Sequence, residues 1–346
     1  MVKENVAYQR AAISNPLTKR FKQFLYSAAI LLAVPQAAEA ATLVNSWKPI
    51  FEGIDYATGM ADSSEPRIQK VNALRIDLSN PDIEFFSTPS NGDAELETFA
   101  QTTSDFLASS DVQVAANANF FDPCCEAEPE PKDLLSFAAS EGEIVSPPGE
   151  PILPEDIVAG DDLTSSLLVS QDNEAEIVKR TNLTGDFSNV FTAVSGDPRL
   201  LTDGEIVVDS VFTNDFAGPN PRTAVGLSED GQELILITID GRQPGVSEGA
   251  TLYETAEWVT RFGSYQGLNL DGGGSTTLVR EGEFGNPQLL NSPSGEQRFV
   301  GNNLGIFADP LPGETTRIPE PSSALGVFVF GAFGAALRLK RRPNKQ

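Results

Sequence analysis

The sequence predicts an α+β fold, a single domain of many short strands in mixed or antiparallel sheets with a few helices. Two observations lead there. Apolar runs of strand length recur through the middle of the 346-residue chain, separated by Gly, Pro, Asn and Asp. Only two segments carry a helical period, and no internal repeat is present.

Taken in order, Thr42 to Arg67 has no strong period and reads as an N-terminal extension, 41–70, ahead of a domain spanning 71–310. Val71 to Leu78 alternates and is expected as a strand. Ile83 to Ser87 is a second, with Asn80-Pro81-Asp82 turning between them. Leu96, Phe99, Ala100, Phe106 and Leu107 give an amphipathic helix over Leu96 to Leu107. Val112 to Ala116 is expected as a buried strand entering Asn117-Ala-Asn-Phe-Phe-Asp122. Pro- and Glu-rich stretches, Pro123 to Lys132 and Pro147 to Pro154, read as excursions. Short strands are expected at Leu134 to Ala139, Ser166 to Ser170, Ala175 to Val178, Phe191 to Val194 and Glu205 to Val208, then a loop at Thr213 to Pro221. Arg222 to Leu227 and Leu234 to Ile239 form a hairpin around Asp230-Gly231. Thr251 to Phe262 is the best helix: Thr251 with Glu254 makes a capping box, Leu252, Ala256, Val259 and Phe262 share a face, and Gly263 stops it. Arg298 to Phe307 closes the domain with one more strand.

Both ends read as processing segments. Lys19, Arg20 and Lys22 precede an apolar run from Phe24 to Val34 and a small-x-small site at Ala38-Glu39-Ala40, the pattern of a secretory signal peptide over 1–40. At the other end, Pro319-Glu320-Pro321 precedes an apolar run from Ala324 to Leu337 and the basic group Arg338, Lys340, Arg341 and Arg342. That run is shorter than the roughly 20 residues of a full span. The segment 311–346 resembles the PEP-CTERM sorting signal of exopolysaccharide-making bacteria. The resemblance implies export, a sorting protease (exosortase) acting on the tail, and release or attachment at the cell surface.

The net charge is −25; residues 1–40 carry +3 and residues 338–346 carry +5, which leaves −33 on the rest. So acidic a body repels nucleic acid, so no nucleic-acid partner is expected. The chain has no histidine, which excludes a Ser-His-Asp triad, a Cys-His pair and His-ligated zinc. Its two cysteines, Cys124 and Cys125, are adjacent: too few for a Cys₄ zinc site, with a vicinal disulfide left open. No EF-hand loop is present, and no metal or cofactor is expected. Chemistry must fall to carboxylates, hydroxyls, Arg, Lys and Tyr.

One stretch stands out. Leu268 and Leu270 run into Asp271, then Gly272, Gly273 and Gly274, then Ser275 and Thr277 before a second strand. Three glycines carry a large ordering cost, so the turn needs bare backbone for positive φ or close approach. Successive N–H groups in such a turn hold anions. A capped hairpin turn is the plainer alternative. Neither a dinucleotide loop nor a P-loop fits, because no helix and no Gly-Lys-Ser/Thr follows.

Asn269-Leu-Asp-Gly-Gly-Gly-Ser-Thr-Thr277 is similar to the signature of the phosphodiester glycosidases. That family includes the lysosomal uncovering enzyme, which removes N-acetylglucosamine from mannose 6-phosphate diesters. Further stretches match in order. Asn117-Ala-Asn-Phe-Phe-Asp122 resembles the family's Asn-Gly-Gly-Phe-Phe segment, and Pro221-Arg-Thr-Ala-Val-Gly226 its Arg-Thr-Ala-Ile-Gly strand, with Asp240-Gly241 ending the next. Leu252-Tyr-Glu-Thr-Ala-Glu-Trp258 and Arg298-Phe-Val-Gly-Asn302 complete the series. The resemblance implies hydrolysis of a sugar-1-phosphodiester at the anomeric C–O bond. Asp271 would be nucleophile or base there, Asp240 its partner, and Glu254 a helix cap or acid. Arg222, Arg242 and Arg298 would hold phosphate. The Gly272–Gly274 backbone, Ser275 and Thr277 would donate to phosphate or sugar, and Asn117 and Asn302 would orient the sugar. A non-catalytic exopolysaccharide-binding protein using the same cleft is the alternative.

Overall fold

The computed structural model describes residues 42–62, 66–125, 127–148, 165–211 and 214–313. The expected signal peptide, the sorting tail and part of the Pro147 to Pro154 excursion lie outside the described residues.

Among the described residues the body is built from antiparallel sheets with two α-helices, as the α+β expectation requires. The largest sheet has nine strands. Its central strand, Glu233–Ile239, pairs with Arg222–Leu227 on one side and Gln69–Asp77 on the other. Its sequence is a continuous apolar run because both faces are covered. Leu234 and Leu236 face the inner core with Leu74, Ile76, Val225 and Leu268. Ile235, Ile237 and Ile239 face the outer cluster beneath helix α2, Leu252–Arg261.

A five-stranded sheet (Glu84–Ser87, Val114–Asn117, Leu278–Glu281, Pro287–Leu289 and Asn303–Phe307) contributes Phe85, Val114, Ala116, Leu278 and Leu304 to the same inner core. A second, with Ala138–Ser140, Glu143–Ser146, Ser165–Val169, Ala175–Lys179 and Thr192–Gly196, adds Leu167, Val169, Ile177 and Val194. Gly196 marks how closely backbones approach: a Cβ there would lie 2.0 Å from the Asn269 carbonyl oxygen, on the strand that carries the glycine turn. Gly196→Ala is expected to destabilise the protein by about 3 kcal/mol or more, read by denaturant titration, because backbone cannot yield as a side chain can.

The best helix matches its expectation. The Thr251 hydroxyl accepts from the Glu254 N–H and the Glu254 carboxylate accepts from the Thr251 N–H. Trp258 donates its indole N–H to Gln69 at 2.6 Å and packs against Gly59, where a Cβ would come within 2.5 Å of the ring.

Three expectations need correction. The segment read as an N-terminal extension supplies strands Thr42–Val44, Lys48–Phe51 and Ile54–Ala61 of the largest sheet; Ile54–Ala61 pairs along its whole length with Gln69–Asp77. The helix expected over Leu96 to Leu107 is only Thr103–Ser110 (α1). Thr102 caps it by accepting from the Asp105 N–H, whereas Thr98–Phe99 extends to pair with Pro131–Leu134. The closing strand is Asn303–Phe307, shorter than expected, and Arg298 to Asn302 is irregular apart from a single bridge at Val300. Cys124 and Cys125 form a vicinal disulfide.

Candidate active site

The glycine turn sits where Gln266–Asn269 leaves the largest sheet and Leu278–Glu281 enters the five-stranded one. Between them Gly273 to Ser275 makes one tight helical turn, with Gly273 at φ +61°. Asn117, at the end of Val114–Asn117, fixes its position. Its Nδ2 donates to the Asp271 carbonyl at 2.6 Å, and its Oδ1 accepts from the Thr223 hydroxyl at 2.7 Å and the Thr277 N–H at 3.1 Å. The Asp271 N–H donates to the Ala118 carbonyl at 2.9 Å. The turn is thereby clamped to both sheets.

Asp271 is only 9% exposed. Burial pushes its carboxyl up to about 6, against hydrogen bonds from Ser275 and the Gly272 N–H and the charge of Arg298, which hold it down. Ser275 is the relay: its hydroxyl accepts from Arg298 at 3.1 Å and bonds the Asp271 carboxylate.

The glycines are bare because two guanidinium groups lie against them. A Cβ on Gly274 would sit 2.4 Å from an Arg298 terminal nitrogen, and one on Gly273 would sit 3.0 Å from Arg242. Arg242, exposed and at φ +58°, donates to Asn220 at 3.0 Å. On Gly272 a Cβ would meet the Pro221 carbonyl at 2.8 Å, and that carbonyl accepts the Gly273 N–H. A carboxylate, two guanidinium groups and a nest of backbone therefore share one turn.

Asp240, at the end of the central strand, is 4% exposed. Its Oδ1 accepts from the Ser292 N–H at 2.9 Å and the Asn291 amide at 3.3 Å. Burial raises its proton affinity; the Ser292 and Asn291 bonds and the charge of Lys70 oppose it. The same Asn291 amide donates to the Thr276 carbonyl at 3.2 Å, so two hydrogen bonds connect Asp240 to the segment after the glycines.

Five other candidates have different work. The Arg222 guanidinium, 2% exposed, donates to the carbonyls of Ala250, Phe216 and Gly218, and burial lowers its pKa to about 9. It clamps the loop that delivers Asn220 and Pro221 to the glycine turn, in place of the phosphate contact expected of it. Glu254 caps α2, accepts from Gln69 and pairs with Arg67. It lines a crevice with Trp258 and Arg261 that none of the glycine-turn residues lines. Asn117 is fully buried and its amide serves the turn. Asn302, also fully buried, donates to Asn119 and accepts from the Thr88 N–H. Neither asparagine presents its amide to a sugar. Thr277 is buried, and its N–H belongs to Asn117.

Sequence reasoning missed Asn291, Asn220 and Thr223. Asn220 lies in the expected Thr213 to Pro221 loop and Asn291 in a stretch to which no element was assigned; Thr223 lay inside a recognised strand, where a hydroxyl carries no mark of its partner.

Comparison with known proteins bears on the fold and the family. A zebrafish structure titled N-acetylglucosamine-1-phosphodiester alpha-N-acetylglucosaminidase catalytic domain, auto-inhibited by its pro-peptide, superposes with TM-score 0.54 at 19% identity, covering 77% of this chain and 88% of that one. A hypothetical protein from Synechocystis superposes at TM-score 0.52 and 17% identity, covering 79% of this chain and 64% of that one. These likenesses establish the fold. The uncharacterized SPbeta prophage-derived protein YomE of Bacillus subtilis is 37% identical over 87 residues, which is 25% of this chain and 13% of YomE. A profile of the phosphodiester glycosidases matches residues 110–307, more than half the chain and spanning Asn117, Arg222, Asp240, Asp271 and Arg298. The chain belongs to the phosphodiester glycosidase family.

Proposed function

We propose that this hydrolase cleaves the sugar C1–O bond of a sugar-1-phosphodiester of the N-acetylglucosamine type. The observation that carries the reading is the glycine turn, where a buried carboxylate and two guanidinium groups meet on bare backbone. A glycosidic transition state develops positive charge at C1 and passes negative charge to the leaving oxygen. Here the leaving group is a phosphomonoester, which needs its charge held more than it needs a proton. Arg242 and Arg298 suit that task as fixed donors. Asp271 takes the anomeric side in its carboxylate form, as nucleophile or base, and Asp240 is the second carboxylate. The C1–O bond breaks, the oxygen of water ends on C1, and its proton ends on the phosphate.

The leader and tail patterns support export to the cell envelope, with the tail as substrate for a sorting protease and exopolysaccharide or envelope glycan as the natural target. The name of the zebrafish relative supports N-acetylglucosamine as the sugar. The test is phosphorus NMR of the protein with an N-acetylglucosamine-1-phosphodiester. Appearance of a phosphomonoester signal with equimolar reducing sugar is expected. Tight binding of polysaccharide with no such signal from any sugar-1-phosphodiester favours a non-catalytic matrix protein.

A further inference from the structure

We infer that Asn291 is a positioning residue of this site, holding the Asp240 carboxylate in place against the segment that follows the glycine turn. The inference rests on the reading of Asp240 as the second carboxylate. Three contacts carry it. The Asn291 amide donates to Asp240 Oδ1 at 3.3 Å and to the Thr276 carbonyl at 3.2 Å, while its own oxygen accepts from the Leu278 N–H at 2.8 Å. Both polar atoms of one side chain, 8% exposed, are thus engaged. A residue whose only task was to end the strand Pro287–Leu289 would not need to reach both a carboxylate and the backbone across from it.

The surroundings fit the same role. The Ser292 N–H reinforces the grip on Oδ1 at 2.9 Å, and Gln243 reaches back from beyond Asp240 to the Ser292 carbonyl at 2.8 Å. The two loops are therefore laced together around the carboxylate. Among the described residues Asp240 Oδ2 accepts no hydrogen bond, so one oxygen is held and the other is free for chemistry. The charged and titratable groups facing Asp240 are Lys70 from Gln69–Asp77 and Tyr56 from Ile54–Ala61, whose phenol feels the Asp240 charge and that of Arg280 from Leu278–Glu281. None of these bonds Asp240, whereas Asn291 does. A donor to the ionised form favours that form, so its loss makes the carboxyl harder to ionise.

The experiment is a carboxylate NMR titration of Asp240, assigned by difference from Asp240→Asn, in the wild type, Asn291→Ala and the isosteric Asn291→Asp. It is paired with kcat and KM across pH on the N-acetylglucosamine-1-phosphodiester. In both variants the Asp240 midpoint is expected to move to higher pH. In Asn291→Ala, kcat falls about tenfold or more with KM within about threefold. Asn291→Asp keeps the shape but sets a second carboxylate against Asp240, so its kcat loss and midpoint shift are expected to be at least as large as those of Asn291→Ala. An unmoved Asp240 midpoint in either folded variant overturns the inference, whatever happens to thermal stability. A moved midpoint in a wild type without turnover leaves the positioning role standing and sinks the proposed reaction instead.

Discussion

Asp271→Asn is expected to lose hydrolysis by about a thousandfold or more while making the protein more stable at neutral pH. The first half follows from removing a carboxylate at the reacting centre, where knockouts of a nucleophile or base reach such factors. The second follows from the environment that makes the carboxylate useful. Burial raises the Asp271 carboxyl to about 6 from an ordinary 3.8. Between those values the folded protein keeps a proton that the unfolded chain releases. Stability therefore falls as pH rises through that window, and the full deficit is present above about pH 6. Its size is on the order of 3 kcal/mol. Asparagine carries no such burden, so the variant should gain up to that amount at pH 7 and nothing at pH 3. Denaturant titrations at the two pH values measure it. A variant less stable at both would mean that Asp271 is held by its partners more firmly than burial penalises it, as a turn cap would be.

Arg298→Lys is expected to lower kcat/KM about a hundredfold with little change in stability. A lysine keeps the charge but loses the planar fork that lies along Gly274 and reaches Ser275. Removing one preorganised donor to a developing anion costs about 3–4 kcal/mol in well-studied sites, and the remaining charge offsets part of that. Gly274→Ala offers an independent route to the same state. Its methyl would press on the Arg298 terminal nitrogen from 2.4 Å, and the flexible end of the side chain would move aside before the backbone did. The fold should therefore survive with activity reduced in the same direction. Thermal melts and steady-state kinetics on both variants separate this from general damage. Loss of folding in Gly274→Ala, or full activity in Arg298→Lys, would contradict a catalytic role for the guanidinium.

The sequence carried the strands that are apolar on both faces and the helix with its capping box, because those signals are local. It did not carry Ile54–Ala61, where Asp55, Thr58 and Gly59 break the period and partnership with Gln69–Asp77 decides the conformation. Gly59 reads as a breaker until Trp258 is seen packed on it. Thr98–Phe99 was lost inside a helical pattern for the same reason: its partner lies more than 30 residues away in a Pro- and Glu-rich stretch.

At the site, chemistry-bearing residues were legible and their assignments were not. Asp271, Arg242 and Arg298 do gather on the glycines. Arg222, Asn117, Asn302 and Glu254 stand at motif positions too, yet their donors and acceptors are engaged by the chain itself. Which way a buried polar group turns depends on carbonyls from distant segments, and a linear pattern contains no record of them. Asn291 is the converse case, a positioning candidate beside Ser292, Pro293 and Gly295 in a stretch that carries no periodic or motif signal.

The central claim is that the glycine turn acts on the sugar carbon rather than on phosphorus. Hydrolysis of an N-acetylglucosamine-1-phosphodiester in heavy-oxygen water, followed by mass spectrometry of both products, tests it directly. Incorporation of label into the released sugar, with none in the phosphomonoester, is the expected result. Label in the phosphate would mean that the P–O bond breaks, and the roles given to Asp271 and Asp240 would be wrong.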